Sequence, residues 1–190
     1  GASSGAGTFT EAMRIAGSTG VATFSDDIFV NGAALCRVGN GNGGAANCTA
    51  LGSSSLLVSS ATLARTVAVG TDTLKALAQP SNDNTAIGSG SMTSLIGHFL
   101  SQTGDENTGV GSYSLHATTQ GRRNTAVGKS ALHSGDCVND NTAVGNQALK
   151  VFTGSNATAI GSGAADAATD ATLLTAVGFN ALGAVIGGLE

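Results

Sequence analysis

Proline, tryptophan and charged residues are scarce in this chain of 190 residues. It has one proline, no tryptophan and one tyrosine, and only 11% of its residues are charged. The net charge is −4 and no basic tract occurs, so we expect no binding to nucleic acid. No apolar run approaches the roughly 18 residues of a membrane-spanning helix, so we expect no membrane insertion. Apolar residues still make up 41%, which favours an ordered chain.

Catalytic and metal-binding side chains are also few. The chain has three Glu, three His and three Cys, and no C-x-x-C pair that would indicate a metal site. No spacing predicts a nucleophile with its base, and the hexapeptide repeats of acyltransferases do not occur. We therefore expect no enzymatic activity, no cofactor and no metal. Cys36, Cys48 and Cys137 are predicted to be buried or loop thiols, with a Cys36–Cys48 disulfide left open.

Glycine, by contrast, is abundant and regularly placed. Residues 124–132 read Asn-Thr-Ala-Val-Gly-Lys-Ser-Ala-Leu, and residues 141–149 repeat the plan as Asn-Thr-Ala-Val-Gly-Asn-Gln-Ala-Leu. Eight copies follow one another at spacings of 16 to 23 residues. A sustained period of this kind predicts a solenoid, in which each repeat stacks on its neighbours. The marker glycines, one per copy, are Gly52, Gly70, Gly88, Gly111, Gly128, Gly145, Gly161 and Gly178.

The residues before each marker glycine predict a short β-strand. A branched apolar residue precedes the glycine, Ala stands two before it in seven copies, and Thr stands three before it in seven copies. This is strand chemistry, with β-branched residues on one face. We expect the branched face to fill the coil, and the alanines to let another backbone approach closely, either across a narrow roll or across a subunit contact. The predicted repeat core is Leu51, Val69, Ile87, Val110, Val127, Val144, Ile160 and Val177.

The remainder of each coil is predicted from the same alignment. We expect a second short strand after the glycine hinge, then a polar return. Asp83, Glu106 and Asp140 each stand just before the Asn of a copy, and we interpret them as turn residues rather than the acid pair of a glycosidase. His116 and His133 both lie five residues after their marker glycines. They are predicted to occupy a solvated edge or, if they faced the axis of an oligomer, a metal or anion site.

A column of threonines raises the possibility of an ice-binding face. Each Thr shares its strand face with the branched apolar residue two places on, because side chains alternate along a strand. We expect that shared face to be packed inside, which counts against ice binding. The threonines are Thr49, Thr85, Thr108, Thr125, Thr142, Thr158 and Thr175.

Residues 1–45 do not follow the repeat. We predict an N-terminal β shaft and linker segment over 1–45 and a repeat β-roll domain over 46–190. Within the first, strands are predicted over 9–15, 21–24 and 28–30, with a tight turn at Asn31–Gly32. Residues 39–44 match G-x-G-x-x-G but lack its strand–helix context, and are predicted to be a linker.

The repeat Asn-Thr-Ala-Val-Gly-x-x-Ala-Leu resembles those in the head domains of trimeric autotransporter adhesins, the YadA-like β-roll. It is also similar to the related repeats of long bacteriophage tail fibres. The resemblance covers about residues 46–182. Residues 13–15, Met-Arg-Ile followed by a Ser/Gly turn, resemble a segment of phage tail-fibre shafts and favour the phage. The implied fold is all-β: a parallel left-handed β-roll or β-solenoid of about eight coils, in an intertwined or side-by-side homotrimer.

The function that the resemblance implies is structural and adhesive. The chain would be a trimeric tail-fibre fragment of a virion that presents loops to a host cell-surface receptor, either a glycan or an outer-membrane protein. The alternative is the head domain of a bacterial trimeric autotransporter adhesin on the cell surface. A polysaccharide-degrading tailspike and an ice-binding protein are further alternatives. Composition favours the trimer independently, because each coil has few large apolar residues to offset the entropy of ordering it.

Receptor contact is predicted where the repeat is broken, because regular coils all present the same face. The largest break lies between Gly88 and Gly111, where 23 residues replace about 17. The extra residues form an apolar run. The predicted contact loop consists of Leu95, Ile96, His98 and Phe99; in the competing interpretation its apolar residues seal a groove of the trimer.

Overall fold

The structure is a computed structural model, and it describes residues 28–30, 33–38, 48–56, 65–76, 81–96, 104–134, 139–171 and 173–183. These residues contain ten strands and no helix, and accordingly no described helix is long and apolar enough to cross a membrane. The strands are β1 Ile28–Val30, β2 Ala33–Val38, β3 Thr49–Leu51, β4 Val67–Val69, β5 Thr85–Ile87, β6 Thr108–Val110, β7 Thr125–Val127, β8 Thr142–Val144, β9 Thr158–Ile160 and β10 Thr175–Val177.

The strands pair in chain order. β1 pairs antiparallel with β2, with Val30 opposite Ala33, and β2 pairs antiparallel with β3. From β3 to β10 every pair is parallel, and equivalent residues of successive repeats lie opposite each other. The predicted all-β parallel solenoid is thereby confirmed, with about six turns. The strand predicted at 28–30 is also confirmed, whereas those at 9–15 and 21–24 and the linker at 39–44 lie outside the described residues.

The central residue of each parallel strand lines the interior. It is an alanine in seven strands, and each of these alanines is at most 3% exposed. In β6 it is Gly109, where an added Cβ would lie 2.8 Å from Ser91 Oγ, so the interior there is too narrow for a side chain. Large apolar residues four after the marker glycines complete the same buried cluster. They are Leu56, Leu74, Met92, Leu115, Leu132 and Leu149.

The branched residues lie on the opposite face, so the predicted repeat core is wrong for the single chain. In a three-residue strand the first and last side chains point away from the central one. Because the leucines of the turn already fill the narrow interior, only alanine fits on the strand side. Leu51, Ile87, Val127, Ile160 and Val177 are exposed, and Val69, Val110 and Val144 are half-buried.

Left-handed corners replace the second strand that was predicted after each glycine. All 21 described non-glycine residues with positive φ occupy three repeat positions: five before, two after and four after the marker glycine. Residues in this region cannot continue a strand, so the second-strand prediction is wrong. Asp83, Glu106 and Asp140 have φ of 58°, 60° and 57°, which confirms them as turn residues.

One corner offers a test, because nature places two kinds of residue there. Ser130 has φ 56°, while the equivalent positions hold Gly90 and Gly163 with φ 69° and 68°. We expect Ser130→Gly either to leave the free energy of unfolding unchanged or to raise it by up to about 1 kcal/mol. Glycine relieves the left-handed strain, but it also raises the entropy of the unfolded chain, and this second effect offsets the first. A β-branched residue is disfavoured at positive φ, so Ser130→Val should lose about 1–2 kcal/mol. Thermal melts that place Val above Gly would contradict this assignment of the corner.

A ladder of buried asparagine amides runs beside the strands. Asn84, Asn107, Asn124 and Asn141 occupy one repeat position, and all are at most 1% exposed. Each Oδ1 accepts hydrogen bonds from the main-chain N–H of the equivalent residue in the next coil, at 2.8–3.0 Å. Between asparagines the Nδ2 adds a second bond at 3.1–3.2 Å. The ladder therefore fixes the vertical register of the coils.

Candidate functional site

The outer face of the parallel sheet is the largest regular surface of the solenoid. Thr and a branched apolar residue alternate across it in nearly every strand, and the threonines of β5 to β9 are half-buried. Eight strands at about 4.8 Å give a face about 34 Å long. We call the first and last residues of β3 to β10 the outer ladder.

The outer ladder carries no charged side chain. Its sixteen positions hold seven Thr and nine Val, Ile or Leu. Five of its apolar residues are exposed by more than a third; Val177, on the last strand, reaches 66%. A long uncharged face with exposed apolar residues is typical of an interaction surface.

The corners before β4 to β8 each carry a charged residue. Arg65 Nε lies 2.5 Å from Asp83 Oδ1, and Arg123 makes the same contact with Asp140, so each pair joins neighbouring coils. The side-chain hydrogen bond from Arg123 lowers the pKa of Asp140, and the one from Arg65 lowers the pKa of Asp83. Both pairs are exposed, so each contributes little to stability. Arg122–Arg123 is accordingly part of a corner and not a basic patch.

Three rings meet on another corner. His116 and His133 stack with ring centroids 5.0 Å apart and an interplanar angle of 6°. Tyr113 lies across both, with its centroid 5.2 Å from His116 and 6.3 Å from His133. Burial lowers the pKa of His133, and the nearby charges of His116 and Lys150 lower it further. We call Tyr113, His116 and His133 the aromatic notch.

Sequence reasoning identified two members of the aromatic notch and missed the third. The shared offset of His116 and His133 from their glycines predicts stacked positions, and the structure brings the rings together. Tyr113 lies at a different offset, two after its glycine, and only the left-handed corner at φ 59° brings its ring back over the histidines. No strand or helix period contains that signal.

The predicted contact loop is only partly described. Leu95 is 1% exposed and belongs to the buried cluster, so as a receptor-contact residue it is wrong: it packs inside its own coil. Ile96 is exposed. His98 and Phe99 lie outside the described residues.

The cysteine predictions are also partly covered. The cysteines were expected to be either buried or loop thiols, and Cys48 is buried. Cys137 lies outside the part of the chain that the structure describes. Within that part, no three His, Cys, Asp or Glu side chains come together as a metal site would need.

Comparison with known proteins adds no relative. No protein-family model matches the chain, and neither the curated proteins nor the solved structures contain a significant match. The outer ladder and the aromatic notch are therefore the features of the chain that bear on its function.

Proposed function

We propose that this chain is a structural and adhesive fibre protein whose three copies pack through the outer ladder. The observation that carries the proposal is the exposure of the branched apolar residues, which a single chain leaves open to water. Full burial of an exposed Val or Ile contributes about 1.5–3 kcal/mol, so burying the remaining exposed part of Ile87, Val127 or Ile160, each about 40% exposed, contributes roughly 0.6–1.2 kcal/mol. Three identical faces packed about one axis bury the ladder on every copy and close the assembly.

The repeat pattern supports the finer architecture. Eight marker glycines, of which six follow Thr, Ala and a branched apolar residue, fit eight coils of a left-handed roll, the geometry of the adhesin and tail-fibre repeats that the sequence resembles. Residues 1–45 would then be the shaft segment that leads into the roll. Such a fibre holds binding surfaces at a fixed distance from its anchor, on a phage tail or, in the alternative, on a bacterial surface.

Val127→Asp tests the trimer through its interface. Val127 lies at the centre of the outer ladder, between Val110 and Val144 on the adjacent strands. We expect the parent to scatter light as three times the 18.3 kDa chain, and the variant to fall to the monomer mass, because a carboxylate cannot be buried unpaired there.

Asn146→Asp is the control for that substitution. Asn146 is exposed and lies outside the outer ladder, so the same carboxylate should leave the mass unchanged. A parent that is a stable monomer, or a Val127→Asp variant that remains a trimer, contradicts packing through this face.

The adhesive role is tested on cells. We expect fluorescently labelled trimer to attach to some strains in a panel of bacteria, through a surface glycan or an outer-membrane protein. Protease treatment of the cells distinguishes these receptors, because only the protein receptor is removed. A trimer that attaches to no strain contradicts the adhesive role and leaves a purely structural spacer.

Ice binding is a second candidate that the structure makes more plausible than the sequence did. The sequence argument against it placed the threonines inside, but the outer ladder presents Thr and branched apolar rows on one open face. The two functions compete for the same surface. Thermal hysteresis in a monomeric sample would favour ice binding, whereas a trimer without hysteresis excludes it.

A further inference from the structure

The aromatic notch gathers side chains that the chain otherwise almost lacks. It contains the single tyrosine and two of the three histidines in 190 residues. Its residues are not members of the outer ladder: they stand two and five places after their marker glycines, in the turn that follows each strand. A local concentration of aromatic residues on a repetitive, polar surface is a break in the repeat of the kind that recognition needs.

We propose that the aromatic notch, together with Lys150, binds an acidic saccharide of a cell surface. The inference rests on the adhesive function proposed above and names the ligand class and the residues that contact it. The sugar ring packs against Tyr113 and the imidazoles, and its acidic group meets the Lys150 ammonium.

The ring of Tyr113 is held in place before any ligand arrives. Its main-chain N–H donates to the Ser89 carbonyl at 3.0 Å, and its side chain lies over Gly90, where an added Cβ would be 2.7 Å from two ring carbons. The residue is nonetheless 43% exposed. A fixed, amphipathic ring of this kind provides contact area at low entropic cost, and its hydroxyl adds a hydrogen-bonding group.

The two histidines form a second wall of the notch. Tyr113 meets their planes at 67° and 63°, so the notch has two walls set at a steep angle. The Nδ1 of His133 is 2.9 Å from Ser134 Oγ, which fixes the orientation of that ring. The lowered pKa of His133 favours its neutral form, which offers both a donor and an acceptor and so suits the hydroxyl groups of a sugar.

Lys150 places a positive charge beside the notch, and the carboxylate of Asp166 stands at the equivalent position one coil further on. Lys150 occupies the position of His116 and His133 in the next coil, and the Ser134 N–H donates to its carbonyl at 2.9 Å, as the Ala117 N–H does to that of His133. Three successive coils therefore present His, His and Lys at about 4.8 Å intervals. This local charge opposes the net charge of −4 and is complementary to a carboxylate or phosphate on a sugar.

Residues from the chain's own repeats supply conservative test variants. Tyr113→Ser uses the residue found at that position in Ser54 and Ser130, and His116→Thr uses that of Thr93. Lys150→Thr likewise uses the residue of Thr93, and it removes the positive charge. Asp72→Ser, at the position of Tyr113 two coils away, is the matched control. Circular dichroism and light scattering establish that each variant retains the fold and mass of the parent.

The experiment is binding to an array of bacterial surface saccharides with acidic and neutral members. We expect the parent to bind acidic members, with about tenfold or greater loss of affinity, roughly 1.4 kcal/mol, for Tyr113→Ser and His116→Thr. Lys150→Thr should lose the preference for acidic over neutral members, and Asp72→Ser should bind as the parent does. The proposal is overturned if the parent binds no acidic member, or if the notch variants bind as tightly as the parent. Loss of binding in EDTA also overturns it, because that result indicates a metal bound by the histidines.

Attachment to cells separates this proposal from the function on which it rests. If the parent attaches and Tyr113→Ser attaches equally well, the notch is not the contact site but the adhesive function stands. If the parent attaches to no strain while it binds acidic saccharides through the notch, the binding site stands and the adhesive function is contradicted.

Discussion

Gly88→Ala should lower the free energy of unfolding by at least about 3 kcal/mol, equivalent to a fall in Tm of about 6–12 °C. The marker glycines stack directly on one another, with φ between 126° and 136°. A Cβ on Gly88 would lie 2.6 Å from both the carbonyl carbon and the oxygen of Gly111, which are backbone atoms. They cannot move aside without breaking the 2.7 Å hydrogen bond from the Gly111 N–H to the Ile87 carbonyl.

Gly178→Ala is the matched control, because it has the same backbone conformation without the contact. Its φ is 127°, against 126° for Gly88, but among the described residues a Cβ there meets only Ala181 Cβ at 3.9 Å. Strain at positive φ contributes about 1–3 kcal/mol to both variants, so the difference between them measures the stacking clash. Thermal or denaturant unfolding of the two proteins provides that difference. Equal losses would show that φ alone requires glycine and that the coils are not in contact there.

The sequence predicts the parallel strands well because the repeat itself carries the information. Identical residues recur at a nearly constant period, and only a parallel stack places Thr125 beside Thr142 and Ala126 beside Ala143 in register. The corner residues can be predicted for the same reason, since Asp83 and Asp140 recur before the buried Asn. Neither inference requires knowledge of how the coil is closed.

The repeat period does not predict which face of each strand points into the coil. A strand of three residues has one central side chain and two flanking ones, and either set can face in. Larger apolar residues normally fill a core, so the sequence favours Val127 for the interior and predicts for Ala126 only the close approach of another backbone. The structure decides otherwise because Leu132, in the turn, supplies the bulk, and the strand needs only the small side chain of Ala126.

Only part of the candidate site could be predicted from the sequence, for a related reason. Stacking of His116 on His133 follows from equal offsets, but the approach of Tyr113 depends on the corner angle between repeat positions. The outer ladder became a candidate interface only when the structure reversed the two faces. The exposure of that face on a single chain is the observation that supports the proposed trimer.

Asn124→Ala should also lower the free energy of unfolding strongly, by about 3–5 kcal/mol. The Oδ1 of Asn124 accepts from the main-chain N–H of Asn141 at 3.0 Å and from its Nδ2 at 3.1 Å. Removing it leaves the main-chain N–H of Asn141 buried without that acceptor. Asn141 Nδ2 keeps its bond to the Gly154 carbonyl. Asn107 Oδ1 loses the Nδ2 donor at 3.2 Å but keeps the Asn124 main-chain N–H. Each hydrogen bond that is lost while its partner stays satisfied contributes a further loss of about 0.5–1.5 kcal/mol. Each unsatisfied buried group costs about 1–3 kcal/mol.

The position tolerates alanine naturally only where the ladder ends. Ala157 donates its N–H to Asn141 Oδ1 at 2.8 Å, and the next coil carries Leu174 there, which has no side-chain donor. Asn146→Ala is the control, because Asn146 is exposed and its single bond, to the Lys129 carbonyl, is 3.4 Å long. Urea unfolding should show a change of no more than about 0.5 kcal/mol for Asn146→Ala. If Asn124→Ala unfolds at the same urea concentration as that control, the amide ladder does not set the register, and the stacked glycines and strands must hold it alone.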